Sequence, residues 1–69
     1  MTDAEHIEHA ETLARDYRKR AAESEAMIIL HPHATTQHEK WRRGIKRDLR
    51  EATRHEKRAA NIRARMEVK

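Results

Sequence analysis

The 69-residue chain has no cysteine and no phenylalanine, and only one glycine, one proline, one tryptophan and one tyrosine. The absence of cysteine excludes disulfides and thiolate–metal sites, which fits a reducing compartment. Because glycine and proline break helices, their scarcity favours long helices built from the alanine, arginine, glutamate, lysine, leucine and methionine that dominate the sequence. At this length we expect one domain at most, over residues 1–69.

Long hydrophobic runs are also missing. The longest, residues 26–30, is far shorter than the ~20 residues of a membrane-spanning helix. Residues 1–5 already carry charge and do not resemble a signal peptide. We therefore expect a cytoplasmic protein that makes no membrane contact.

Charge is divided unevenly along the chain. Residues 1–34 carry four basic and seven acidic side chains, whereas residues 35–69 carry twelve basic and five acidic ones. The division falls at residues 31–36, where Pro32 makes it difficult for a helix to continue. An acidic helix and a basic helix joined by a short turn are predisposed to fold onto each other.

The first helix is predicted over residues 3–30, with Thr2 or Asp3 as its N-cap. Its apolar and small residues recur at alternating spacings of three and four, the period of a coiled coil. Most of these seam residues are small, which lets two helices approach closely. They are Ile7, Ala10, Ala14, Tyr17, Ala21, Ser24 and Ile28.

The second helix is predicted over residues 37–67, after a turn at residues 31–36. Thr36 and Glu39 have the spacing of a capping box, and Gly44 is the weak point of the helix interior. Its seam is expected to contain Trp41, Ile45, Leu49, Ala52, Ala59, Ile62 and Met66, with Asp48 and His55 as polar members of the same face.

Together these patterns predict an all-α fold, an antiparallel two-helix hairpin that is coiled-coil-like and has an alanine-rich seam. Folding the chain at the turn places residue i of the first helix near residue 67 − i of the second. An elongated pair of helices has too much surface for its few apolar residues. We therefore expect a homodimer, in a four-helix arrangement.

The first helix ends in four consecutive apolar residues that point to all of its sides, so one partner helix cannot cover them. These residues either plug the end of the hairpin or lie at an interface. Aromatic, methionine and arginine side chains dominate protein–protein hot spots. The candidate partner-binding residues are therefore Met27, Ile29, Leu30, Trp41, Arg42 and Arg43.

Basic residues line the second helix opposite its seam, over about 33 Å from Arg43 to Arg65 at ~1.5 Å per residue. This basic face suits contacts with nucleic-acid phosphates, docking on an acidic protein surface, or plain solvation with neutralisation by nearby acidic residues. Besides Arg43, the face comprises Arg47, Arg50, Arg54, Lys57, Arg58 and Arg65.

Catalytic and metal chemistry have little support in the sequence. The pairs Glu5/His9 and Glu51/His55 would lie ~10 Å out of register in the predicted hairpin, so we expect no metal site. The chain also lacks a phosphate-binding loop, and its single serine, Ser24, is placed in the predicted seam. We expect a non-enzyme with no catalytic residue, no cofactor and no small-molecule substrate.

A cysteine-free, arginine- and alanine-rich helical hairpin of 69 residues resembles the small early proteins with which bacteriophages disable host proteins. In size and inferred architecture it is similar to the quorum-sensing anti-activators of Mu-like phages. The resemblance covers the whole chain, depends on length, helix content and composition, and carries over no functional residue. It implies a helical dimer that blocks a quorum-sensing transcription regulator and a type IV pilus assembly ATPase. Anti-CRISPR proteins and transcription-blocking phage proteins fit almost as well.

The sequence thus predicts a dimeric adaptor or inhibitor that covers a surface on a larger host protein. The first alternative is a nucleic-acid-binding protein that uses the basic face. The second is a structural subunit, which would polymerise instead of stopping at two chains.

Overall fold

Two helices form nearly all of the computed structural model, which describes residues 1–67. Helix α1 spans Asp3–Leu30 and helix α2 spans Thr35–Glu67. They lie side by side as an antiparallel hairpin of 56 × 15 × 14 Å, and none of residues 1–67 is in a strand. The predicted all-α helical hairpin is confirmed. The end of the predicted domain, residues 68–69, lies outside the described residues.

A capping box begins α1. The backbone amide of Glu5 donates to the Thr2 hydroxyl oxygen at 3.2 Å, and the Thr2 amide donates to the Glu5 carboxylate at 3.5 Å. Asp3 and Glu5 also place negative charge in the first turn, where the helix dipole favours it. The helix ends at Leu30, because His31 precedes a proline and is held outside the helical region.

The turn is shorter than predicted, since α2 begins at Thr35 and the chain reverses over residues 31–34. Thr36 is already inside the helix and cannot act as its N-cap, and no hydrogen bond joins Thr36 to Glu39 among the described residues. The predicted capping box is therefore wrong. Instead, the ring Nε2–H of His38 donates to the His31 carbonyl at 2.5 Å. This bond ties the first turn of α2 directly to the end of α1.

The seam between the helices follows the predicted coiled-coil period on α1. Ile7, Ala10, Ala14 and Ala21 are buried there, with Tyr17, Ser24 and Ile28 half-buried between or beyond them. On α2 the inward positions alternate strictly by four and three residues. They are Trp41, Ile45, Asp48, Ala52, His55, Ala59 and Ile62, all buried or half-buried.

The register of the hairpin differs from the predicted one. Ile7, Ala10, Ala59 and Ile62 form one core cluster, which matches a pairing of residue i with about residue 69 − i. This shifts α2 by about two residues from the predicted 67 − i. In the observed register each bulky or polar seam residue in the middle of the hairpin lies opposite an alanine. Register is thus set by matching large side chains to small ones across the seam.

The core of this hairpin is thin. Within residues 1–67, five of the seven buried hydrophobic residues are alanines, and Ile7 and Ile62 are the other two. The accessible surface is 5686 Å², whereas a compact protein of this mass exposes about 4,500 Å². The radius of gyration is 15.8 Å, against about 11 Å for a globular chain of the same length. Neither described helix has an apolar stretch long enough to cross a membrane.

Replacing Gly44 with alanine is expected to raise the free energy of unfolding by about 1 kcal/mol, because glycine is a poor residue in a helix interior. A Cβ built at Gly44 meets no atom within 4 Å, so the hairpin imposes no steric penalty. Urea unfolding followed by circular dichroism measures the change. The reverse substitution at an exposed site, Ala60→Gly, should lower the stability by a similar amount. A loss of stability in Gly44→Ala would contradict the open surroundings of this residue.

Candidate interaction surfaces

The apolar tip, which we define as Met27, Ile29, Leu30 and Trp41, lies where the two helices meet the turn. Ile29 is 75% exposed and Leu30 is 69% exposed on the last turn of α1. Residues two positions apart on a helix do not face the same side, so Ile29 lies on the opposite flank of α1 from Met27. The tip therefore presents apolar surface in more than one direction.

Trp41 is less accessible to a binding partner than its position in the sequence indicates. Its ring centroid lies 6.0 Å from that of His31 and 5.9 Å from that of His38. The indole is half-buried beneath these two imidazoles, while the neighbouring Arg42 and Arg43 are exposed. Sequence reasoning missed this cluster, although the three-residue spacing of His38 and Trp41 places both on one helix face.

Two residues predicted for the seam lie outside it in the hairpin. Leu49 is 40% exposed because its neighbour Asp48 occupies the inward position of the four-three repeat. Met66 is 48% exposed because it lies near the beginning of α1, where few residues of α1 remain to cover it. The prediction that Leu49 and Met66 are buried in the seam of the hairpin is therefore wrong.

Polar groups interrupt the middle of the seam. The rings of Tyr17 and His55 stack with centroids 5.7 Å apart and planes 9° from parallel, and the Arg20 guanidinium lies 5.8 Å from the Tyr17 ring centre. Glu51 approaches His55 to 3.9 Å. Asp48 is only 4% exposed, and its Oδ1 has no hydrogen-bond partner in the structure. The Nδ1 atom of His55 is likewise buried without a partner.

Cross-helix ion pairs lie along one flank of the hairpin. The Arg18 guanidinium makes a forked contact with Glu56, at 2.5 and 3.2 Å, and Arg63 contacts Glu11 at 2.6 Å. Hydrogen bonding from Arg18 lowers the pKa of the Glu56 carboxyl and raises the pKa of Arg18 itself. Because these side chains are about half exposed, the pairs orient the helices more than they stabilise them.

The basic face lies along the other flank. Glu56 and Arg63 each follow an inward residue of α2 by one position, whereas Arg54 and Arg58 each precede one. On a helix these two sets are on opposite sides of the seam. All members of the basic face are exposed: Arg43, Arg47, Arg50, Arg54, Lys57, Arg58 and Arg65.

A groove of about 630 Å³ opens where the basic face meets the beginning of α1. Four of the basic residues border it together with Asn61, Ile62, His6 and Asp3. Among residues 1–67, the groove included, no set of three histidine, aspartate or glutamate side chains is arranged to hold a metal ion. The groove is thus rich in positively charged hydrogen-bond donors and contains a single carboxylate.

Comparison of the chain with protein-family models, with curated proteins and with solved structures finds no match.

Proposed function

We propose that the protein is a non-enzymatic binding module, in which a second copy covers the apolar tip and the resulting dimer blocks a surface of a larger protein. The observation that carries this proposal is the exposure of Ile29 and Leu30, two large aliphatic residues at the end of α1. Contiguous exposed apolar residues are typical of interaction sites. The phage resemblance, which would make the larger protein a quorum-sensing regulator or a pilus assembly ATPase, stays a prediction.

The thin core supports association with a second copy. Burial of apolar surface is the main favourable contribution to folding, and among the described residues only two buried hydrophobic side chains, Ile7 and Ile62, are larger than alanine. Covering the tip adds leucine, isoleucine and methionine to that core without changing the helices. Each such side chain contributes about 1.5–3 kcal/mol when it becomes fully buried. A four-helix dimer formed in this way would compensate for the small seam.

The two arginines beside the tip suit the contact with the larger protein. Arg42 and Arg43 are exposed, and neither makes an ion pair within residues 1–67. Arginine forms planar, forked hydrogen bonds with carboxylates, and charges at the rim of an interface increase the association rate. In this proposal the tip provides the dimer contact, and the arginines orient the dimer on its target.

Two double variants separate these roles. Ile29→Ser with Leu30→Ser should convert the dimer to a monomer, measured as molar mass by light scattering, and should abolish capture of the target from nuclease-treated bacterial lysate. Arg42→Gln with Arg43→Gln should leave the dimer intact and weaken only the capture. The matched control is Ala22→Ser with Ala26→Ser, which places serines on exposed positions of the same helix.

The proposal fails if the Ile29→Ser and Leu30→Ser variant has the same mass and the same bound proteins as the control. It also fails if the wild-type chain is monomeric throughout the micromolar range.

A further inference from the structure

We propose that the basic face of α2 binds the phosphate backbone of duplex DNA. This is a second interaction, independent of the apolar tip. It starts from how the structure distributes its ion pairs. Within residues 1–67, Glu11 is the one acidic residue of α1 with an ion pair to α2, and it binds Arg63 on the flank opposite the basic face. Within residues 1–67, Arg54 is the one member of the face with an ion-pair contact, 3.8 Å from Glu51.

The basic face therefore keeps nearly all of its charge. An arrangement in which the acidic helix neutralised the basic one would have left little charge for a ligand. Instead, the groove that ends the face has four cationic side chains along its border and one carboxylate, from Asp3. The cationic residues are Arg54, Lys57, Arg58 and Arg65. Guanidinium and ammonium groups of this kind donate charge-assisted hydrogen bonds to phosphate oxygens.

The chemistry of the face favours duplex DNA over other polyanions. Its outer surface between Arg43 and Arg65 has no aromatic residue, and single-stranded nucleic acids are bound largely by stacking bases on aromatic rings. The exposed Leu49 follows an inward residue by one position and so lies on the flank of the ion pairs. The face itself therefore lacks the large aliphatic residue that would form the apolar centre of a protein interface. The length of about 33 Å corresponds to roughly one turn of B-form DNA. The ligand that best fits this face is therefore the row of phosphates along a DNA duplex.

This binding is expected to be tolerant of base sequence and steeply dependent on salt. If five or six side chains of the face each neutralise one phosphate, the logarithm of the association constant falls with the logarithm of salt concentration with a slope of about −5. Affinity should drop roughly a thousandfold between ~50 and ~200 mM salt. Fluorescence anisotropy with two unrelated duplexes of ~20 base pairs measures the sequence tolerance and the salt dependence. A duplex of that length is longer than the single turn of DNA that the face would cover.

A charge-matched pair of triple variants tests whether the face itself is responsible. The face variant carries Arg50→Gln, Lys57→Gln and Arg58→Gln, none of which makes an ion pair within residues 1–67. The control carries Arg15→Gln, Lys19→Gln and Arg20→Gln, all exposed and on α1 instead of α2. Both lose three charges, and glutamine keeps the helix propensity nearly unchanged.

The face variant should show a salt slope shallower by about 2.7 and an affinity at least tenfold lower, while the control stays within about threefold of wild type. Unchanged helicity by circular dichroism and unchanged molar mass show that both variants keep the native fold. The proposal is overturned by equal weakening in the two variants, by equally tight binding of polyglutamate, or by no wild-type binding at ~50 mM salt.

Discussion

Ala52→Leu is expected to lower the free energy of unfolding by about 1–3 kcal/mol, a large part of the stability of so small a domain. Ala52 is completely buried between the helices. In the observed register it lies opposite the half-buried ring of Tyr17, so three additional carbon atoms fit only if the helix axes move apart. Leucine is nearly as good a helix former as alanine, and the loss would therefore report on packing alone.

Urea unfolding of this variant beside Ala60→Leu measures the effect. Ala60 lies on the same helix and is exposed, so the identical substitution there should change the stability by no more than about 0.5 kcal/mol. Equal effects at the two positions would contradict a closely packed alanine seam.

Asp48→Ala is expected to change stability in the opposite direction, raising the free energy of unfolding by about 1–3 kcal/mol. The Asp48 side chain is 4% exposed, and its Oδ1 accepts no hydrogen bond. A buried acceptor without a partner has lost its contact with water and gained nothing in return. Removing it leaves an alanine opposite Ala21, which fits the small-residue character of the seam.

The control for this substitution is Asp16→Ala on α1, where the aspartate is exposed. Both changes improve helix propensity by the same ~0.6 kcal/mol, so the difference between them isolates the effect of burial. A gain at Asp48 no larger than that at Asp16 would show that the buried oxygen is hydrogen-bonded in solution, contrary to the structure.

Periodicity was enough to predict the architecture. The three-four repeat of α1 identified its inward residues from Ile7 to Ile28, and Thr2 was a correct N-cap because capping depends on residues within one turn. On α2 the same repeat leads through Asp48, which was predicted as a polar member of the seam face, and its apolar neighbour Leu49 was assigned to the seam as well. Hydrophobicity alone could not predict that Leu49 is exposed while the neighbouring carboxylate is buried.

Features that depend on contacts between the helices were harder to predict. The hydrogen bond from His38 to the His31 carbonyl joins residues seven positions apart, and no local motif predicts it because it forms only once the chain has reversed over residues 31–34. The forked pair of Arg18 and Glu56 depends on the register of the hairpin, and the predicted register was about two residues off. Long side chains have many rotamers, so their partners follow from the fold and not from the sequence pattern.

Thermal unfolding at protein concentrations from ~1 to ~100 µM tests the central claim that this thin hairpin is completed by a second copy. For a dimer that dissociates on unfolding, the midpoint temperature rises with protein concentration, because association stabilises only the folded chains. We expect such a rise across the whole range. A single cooperative transition with the same midpoint at every concentration would contradict the claim.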